Sequence, residues 1–200
     1  MANVNAPFGL RPVKKLNSDV NNAGVNAYYI PSSYGTALFI GDVVVKTGTA
    51  NTAAFLGMDA GTLPEINKIT AGTGNACTGV IVGFSVLQTD QSKAYNPAST
   101  ERIAYVLDDI GTEFEVQDDG SGALAAVDVG TNFNLIITTA GSTVTGLSGT
   151  MLNATSTATT ATLQLTILRL APIPGNALGV NAIWRVRLNN HTESVNTAGI

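Results

Sequence analysis

Turn residues interrupt this chain every few positions, and the stretches between them are short, β-branched and aromatic. NAYYI at 26–30 stops at Pro31, and ALFIGDVVVK at 37–46 carries Gly41-Asp42 inside it, the mark of a bend leading into a buried strand. TGVIVGFSVL (78–87), ERIAYVL (101–107), TEFEVQ (112–117), NLIITT (134–139), TLQLTILRL (162–170) and AIWRVRL (182–188) follow. Little is helical; residues 123–127 could form one turn. Strands this short and this frequent direct the chain into an all-β barrel or sandwich of short antiparallel strands.

The faces of several strands can be read directly, because side chains alternate across a sheet. In TEFEVQ, Phe114 and Val116 point one way and Glu113, Glu115 and Gln117 the other. In AIWRVRL, Trp184, Val186 and Leu188 share a face, and Ile183, Arg185 and Arg187 share the opposite one. TGVIVGFSVL is nearly continuous apolar, as a strand covered on both faces should be. Gly79 and Gly83 within it suggest close approach of another backbone. Asp118-Asp119-Gly120-Ser121-Gly122 supplies turn residues that tolerate positive φ.

Residues 1–24 read as an extended N-terminal arm and 25–200 as one β-rich domain. Pro7 and Pro12 bias the arm to extended geometry, and Phe8, Leu10 and Val13 give it apolar side chains that it cannot bury alone. Such a segment gains by lying on a neighbouring surface or sheet edge. Residues 140–166, rich in Thr, Ser, Gly and Ala, read as an ordered insertion or long loop within the domain.

Composition narrows the function classes. Only 12% of the residues are charged, and the chain holds one Cys, one His and one Trp. Most catalytic sites draw on those groups, so no enzyme activity, cofactor or metal is expected. Asp108-Asp109 and Asp118-Asp119 lack the spacing of a calcium loop and stand where strands should end. AGTGNACTG (71–79) lacks the strand–glycine–helix setting of a phosphate cradle. Cys77 has no nearby base in sequence, and His191 has no nucleophile elbow to serve. A net charge of −4 gives no case for direct nucleic-acid binding. No apolar run is long enough for a membrane helix, and the first residues lack a secretory signal, so a product of a cytoplasm is expected.

The charges are unevenly placed. Arg11, Lys14 and Lys15 make the start basic, six acids between Asp108 and Asp119 crowd the middle, and Arg169, Arg185 and Arg187 make the end basic. Copies of such a chain could attract one another head to tail, or the charges could simply be solvated.

Seven stretches, in one order, span most of the chain: NAPFGLRPV (5–13), GDVVVKTG (41–48), YVLDDIGTEFEVQDDG (105–120), VGTNFNLI (129–136), STVTGLSG (142–149), ILRLAPIPGNALG (167–179) and VRLNNH (186–191). Together they resemble the small head decoration, or cement, proteins of tailed bacteriophages. One departure is Ile110-Gly111, where the family carries a proline. The resemblance implies a structural virion protein on the outer surface of the capsid, commonly a homotrimer, that clamps neighbouring major capsid proteins. It implies no catalytic residues. On this reading Phe8, Leu10, Arg11 and Val13 are the arm's contact residues toward a capsid subunit or neighbouring protomer, with Arg185 and Arg187 on the polar face of the last strand as further contacts. Removing residues 2–15 should then weaken binding and leave the domain folded. The alternative is a receptor- or glycan-binding module of a tail or head fibre.

Overall fold

The computed structural model of the chain describes residues 3–15, 24–194 and 199. The fold is all-β. Twelve strands run β1 Arg11–Lys15, β2 Asn26–Ile30, β3 Val43–Ala50, β4 Pro64–Lys68, β5 Gly79–Phe84, β6 Arg102–Leu107, β7 Thr112–Gln117, β8 Asn132–Phe133, β9 Leu135–Ile136, β10 Met151–Leu152, β11 Leu165–Leu170 and β12 Ile183–Leu188. A 3₁₀ turn at Ala126–Asp128 is the one helical element among the described residues, at the end of the stretch expected to make a turn.

Five strands close a barrel in the order β2-β4-β3-β5-β6, and five form a sheet in the order β1-β7-β12-β11-β8. Strands β9 and β10 make a small pair beside them. The pairings are antiparallel except β2 with β4, which is parallel. That single parallel contact sits among the expected antiparallel strand pairs of the described residues and lets the barrel close.

Alternation explains how one wall of the barrel serves two cores. In β3, Val44 points into the barrel and Val43 outward onto the sheet. In β5 and β6 the same split sends Ile81 and Val106 inward and Val80 and Leu107 outward. These strands read as unbroken apolar runs because both faces are covered. The outer core joins them to Phe114, Val116, Trp184, Val186 and Leu188, the inward face expected of β7 and β12.

Gly79 makes the close approach expected of it: an added Cβ would stand 2.6 Å from the Leu107 carbonyl oxygen. Gly83 does not. Its nearest neighbour would be the Tyr105 ring at 3.8 Å, and the residue instead follows an irregularity in the β5–β6 register.

Residues 140–166 are packed against the rest of the fold. Leu147 bridges to Ile40, β10 pairs with β9, and Ala158 bridges to Asn132. Asp42, wholly buried, holds this segment to the barrel. Its Oδ1 accepts hydrogen bonds from Ser148 Oγ (2.6 Å) and Thr150 Oγ1 (3.2 Å) and pairs with Lys68 Nζ at 2.8 Å. Its Oδ2 accepts the Phe39 N–H at 2.8 Å.

Candidate partner interface

The N-terminal segment is stitched to its own domain along its described length. Asn3 Nδ2 donates to the carbonyls of Ala177 and Val180, at 2.8 and 3.0 Å. Gln117 donates to the Val4 carbonyl and accepts the Ala6 N–H. The Leu10 N–H donates to the Gly41 carbonyl at 2.9 Å. Residues 11–15 then become β1, the edge strand of the sheet, antiparallel to β7. The segment does lie on a sheet edge, as its pattern suggests, and the edge belongs to its own chain.

This placement divides the expected contact residues. Leu10 is 1% exposed and part of the outer core, so it is corrected from a contact residue to a core residue. An isolated leucine in an extended segment gains most from the nearest apolar surface, and β5 of the same chain offers one. Phe8 is half-buried and lines a cleft of about 310 Å³ with Leu10, Pro12, Ile40, Ile81, Val82 and Leu147. The Arg11 guanidinium lies over the Phe8 ring, 4.9 Å from its centre, and pairs with Glu115 at 2.6 Å. Val13 stands at the β1 irregularity between Pro12 and Lys14 and is half-buried.

The sheet's outer face gathers the charges that the sequence separates. Register sets Arg11 and Arg185 against Glu115 from its two sides, Arg185 Nε lying 3.4 Å from Glu115 Oε1. Glu113 is shared likewise by Lys14, at 3.8 Å, and Arg169. Lys15 pairs with Asp109 at 2.6 Å. The basic ends therefore clasp the acidic middle within one chain. Both glutamates are buried beneath the cations. Arg187 lies on the same face, and its Nε is buried without a hydrogen-bond partner.

Sequence reasoning misses Arg169. Strict alternation from Leu165 and Ile167 would send it to the core, but the register shifts between Ile167 and Arg169 and turns it outward. It also misses Ile40, Val82 and Leu147, which reach the cleft from separate loops and strands.

Other reactive groups are buried or held in structural bonds. His191 Nδ1 accepts the Glu193 N–H at 3.1 Å, so Nε2 carries the proton and donates to the Thr78 carbonyl at 2.6 Å. Burial pushes its pKa down. Cys77 is buried and its thiol is pushed up to about 12. Asp118, placed by pattern in a turn, is wholly buried and organises that turn. Its Oδ1 accepts the N–H groups of Gly120 and Asn181, and its Oδ2 those of Ala182 and the Trp184 indole. Burial pushes its pKa up against the pull of those four bonds. Asp109 shapes the turn between β6 and β7, its Oδ1 accepting the Gly111 N–H at 2.8 Å. Among the described residues no three His, Cys, Asp or Glu side chains cluster as metal ligands would.

Several apolar side chains stand at loop positions away from either core. Val144 is 92% exposed, Val127 84% and Val4 77%, with Val86 close behind. No family model, curated protein or solved structure matches the chain.

Proposed function

We propose that the protein is a capsid decoration protein of a tailed bacteriophage. It binds the outer surface of the head as an oligomer, a homotrimer on the family resemblance, and clamps neighbouring major capsid proteins. The observation that carries this reading is where the chain spends its ionisable groups. Asp42, Asp118, Glu113, Glu115 and His191 are buried in bonds that hold loops and strands. Much of the remaining surface consists of Thr, Ser, Asn, Ala, Gly and Val loops, several tipped with exposed valines. A surface of that kind loses little solvation when covered. Each 1,000 Å² of apolar area removed from water contributes about 25 kcal/mol gross, before association costs. Repetition over a shell then adds avidity.

Arg11, Phe8 and Val13 remain the arm's proposed partner contacts, now presented from an ordered edge strand, with Arg185 and Arg187 on the adjoining sheet face. Co-sedimentation of the purified full chain with undecorated heads tests the reading. Saturable binding at a fixed copy number supports it. Binding to host cells or polysaccharide with none to heads would instead favour a receptor- or glycan-binding module.

A further inference from the structure

Half of the chain's ten cations stand on the outer face of one sheet. Arg11, Lys14, Arg169, Arg185 and Arg187 surround only two carboxylates, Glu113 and Glu115. The face therefore carries an excess of three positive charges, on a chain whose net charge is −4. The rest of the molecule holds the other five cations against twelve acids, an excess of seven negative charges.

Part of that acidity is concentrated on the barrel wall. Tyr29 points outward, since Tyr28 and Ile30 on either side fill the barrel. Glu65 stands opposite Tyr29 in the β2–β4 register, and the Tyr29 hydroxyl donates to Glu101. Among the described residues neither glutamate is in an ion pair. Phe55 packs edge-on against Tyr29 with ring centres 5.8 Å apart, and the neighbouring Leu56 is exposed. This wall is thus acidic, aromatic and partly apolar, a composition suited to receiving guanidinium groups.

We propose that these two surfaces are the contact between copies of the chain. The basic sheet face of one copy seats on the Tyr29–Glu65–Glu101 wall of the next. Within one chain they stand apart: Glu101 precedes β6 and Thr112 opens β7 beyond its other end, and a six-residue strand spans roughly 17 Å. Charge complementarity selects a second copy as the occupant, because the chain carries both signs on separate faces. Two basic faces repel, so the contact is head-to-tail, and a head-to-tail contact closes into a ring when its rotation allows. Arg187 is partly exposed and stands in no ion pair among the described residues, so its guanidinium is the cation of this face left for a neighbour's carboxylate. The inference deepens the decoration reading by naming the surfaces through which its oligomer forms.

Sedimentation equilibrium of the full chain without heads, at low and high salt, tests it. Association should be tight at low salt and weaken as salt is added. Glu65→Lys with Glu101→Lys, and separately Arg187→Glu, should each raise the dissociation constant about tenfold or more. Mixing the two folded variants should restore a heterodimer, because each keeps the surface that the other lacks. A wild-type chain that is monomeric at low salt, or variants that associate as it does, would overturn the inference. Head binding is measured separately: association without head binding retains this contact and removes the capsid role, and the reverse result does the opposite.

Discussion

Glu115 holds Arg11 and Arg185 on opposite sides, so one buried carboxylate joins the first strand of the fold to the last. The two ion pairs are unequal in consequence. Arg11 is 57% exposed at its side chain, and water screens what it gains. Glu115 is buried, and its loss leaves the mostly buried Arg185 guanidinium without its carboxylate. We expect Arg11→Ala to cost less than about 1 kcal/mol and Glu115→Ala about 3 kcal/mol, both read by urea denaturation.

The N-terminal segment pairs with β7 and buries Leu10 in the outer core, so changes at its packed positions should be felt in stability. Leu10→Ala should destabilise the protein by about 2–4 kcal/mol, the usual cost of emptying a core leucine site. Gly9→Ala should do comparable harm by another route. Gly9 adopts φ 76°, and an added Cβ would meet the Gly41 oxygen at 2.6 Å and Ser148 Cβ at 2.7 Å. Thermal unfolding of each variant checks both, and a melting temperature within a degree of wild type would refute the placement of the arm.

Much of this architecture is legible in the sequence because alternation is a local signal. Trp184, Val186 and Leu188 face the core and Arg185 and Arg187 face out, as their spacing dictates. The unbroken apolar run around Val80 and Ile81 correctly marks a strand covered on both sides. What escapes is non-local. No spacing reveals that β2 lies parallel to β4, or that β1 returns to β7 across about a hundred residues. The charge blocks at Arg11–Lys15, Asp108–Asp119 and Arg169–Arg187 are plain in sequence, but only the strand order shows that they meet in one chain. The face of Arg169 is not legible for a local reason: the irregularity after Ile167 reverses the alternation, and an irregularity leaves no mark in periodicity.

Cys77 should be silent in the native protein. Its thiol is buried and titrates near 12, so thiolate is scarce at neutral pH. Labelling by a thiol-specific reagent should proceed at the rate of unfolding and accelerate with denaturant. Rapid stoichiometric labelling of folded protein would contradict the burial.

His191 should give stability a pH dependence. Its folded pKa lies below the unfolded value of about 6.5. The unfolded chain therefore takes up a proton first as pH falls, and stability present above about pH 6.5 is lost on acidification. Denaturation midpoints measured from pH 7.5 to pH 5 should decline, and the decline should be shallower in His191→Gln. An equal slope in the two proteins would show that His191 is not the group responsible.

The clamping role is tested most directly by the stability of the particle. Packaged heads lacking this protein should be heated with and without the purified chain, and DNA release followed by dye fluorescence. The account predicts that release moves to a higher temperature as the protein is added and saturates at a fixed number of copies per head. Unchanged release at saturating protein, from heads that demonstrably lack it, would contradict the account.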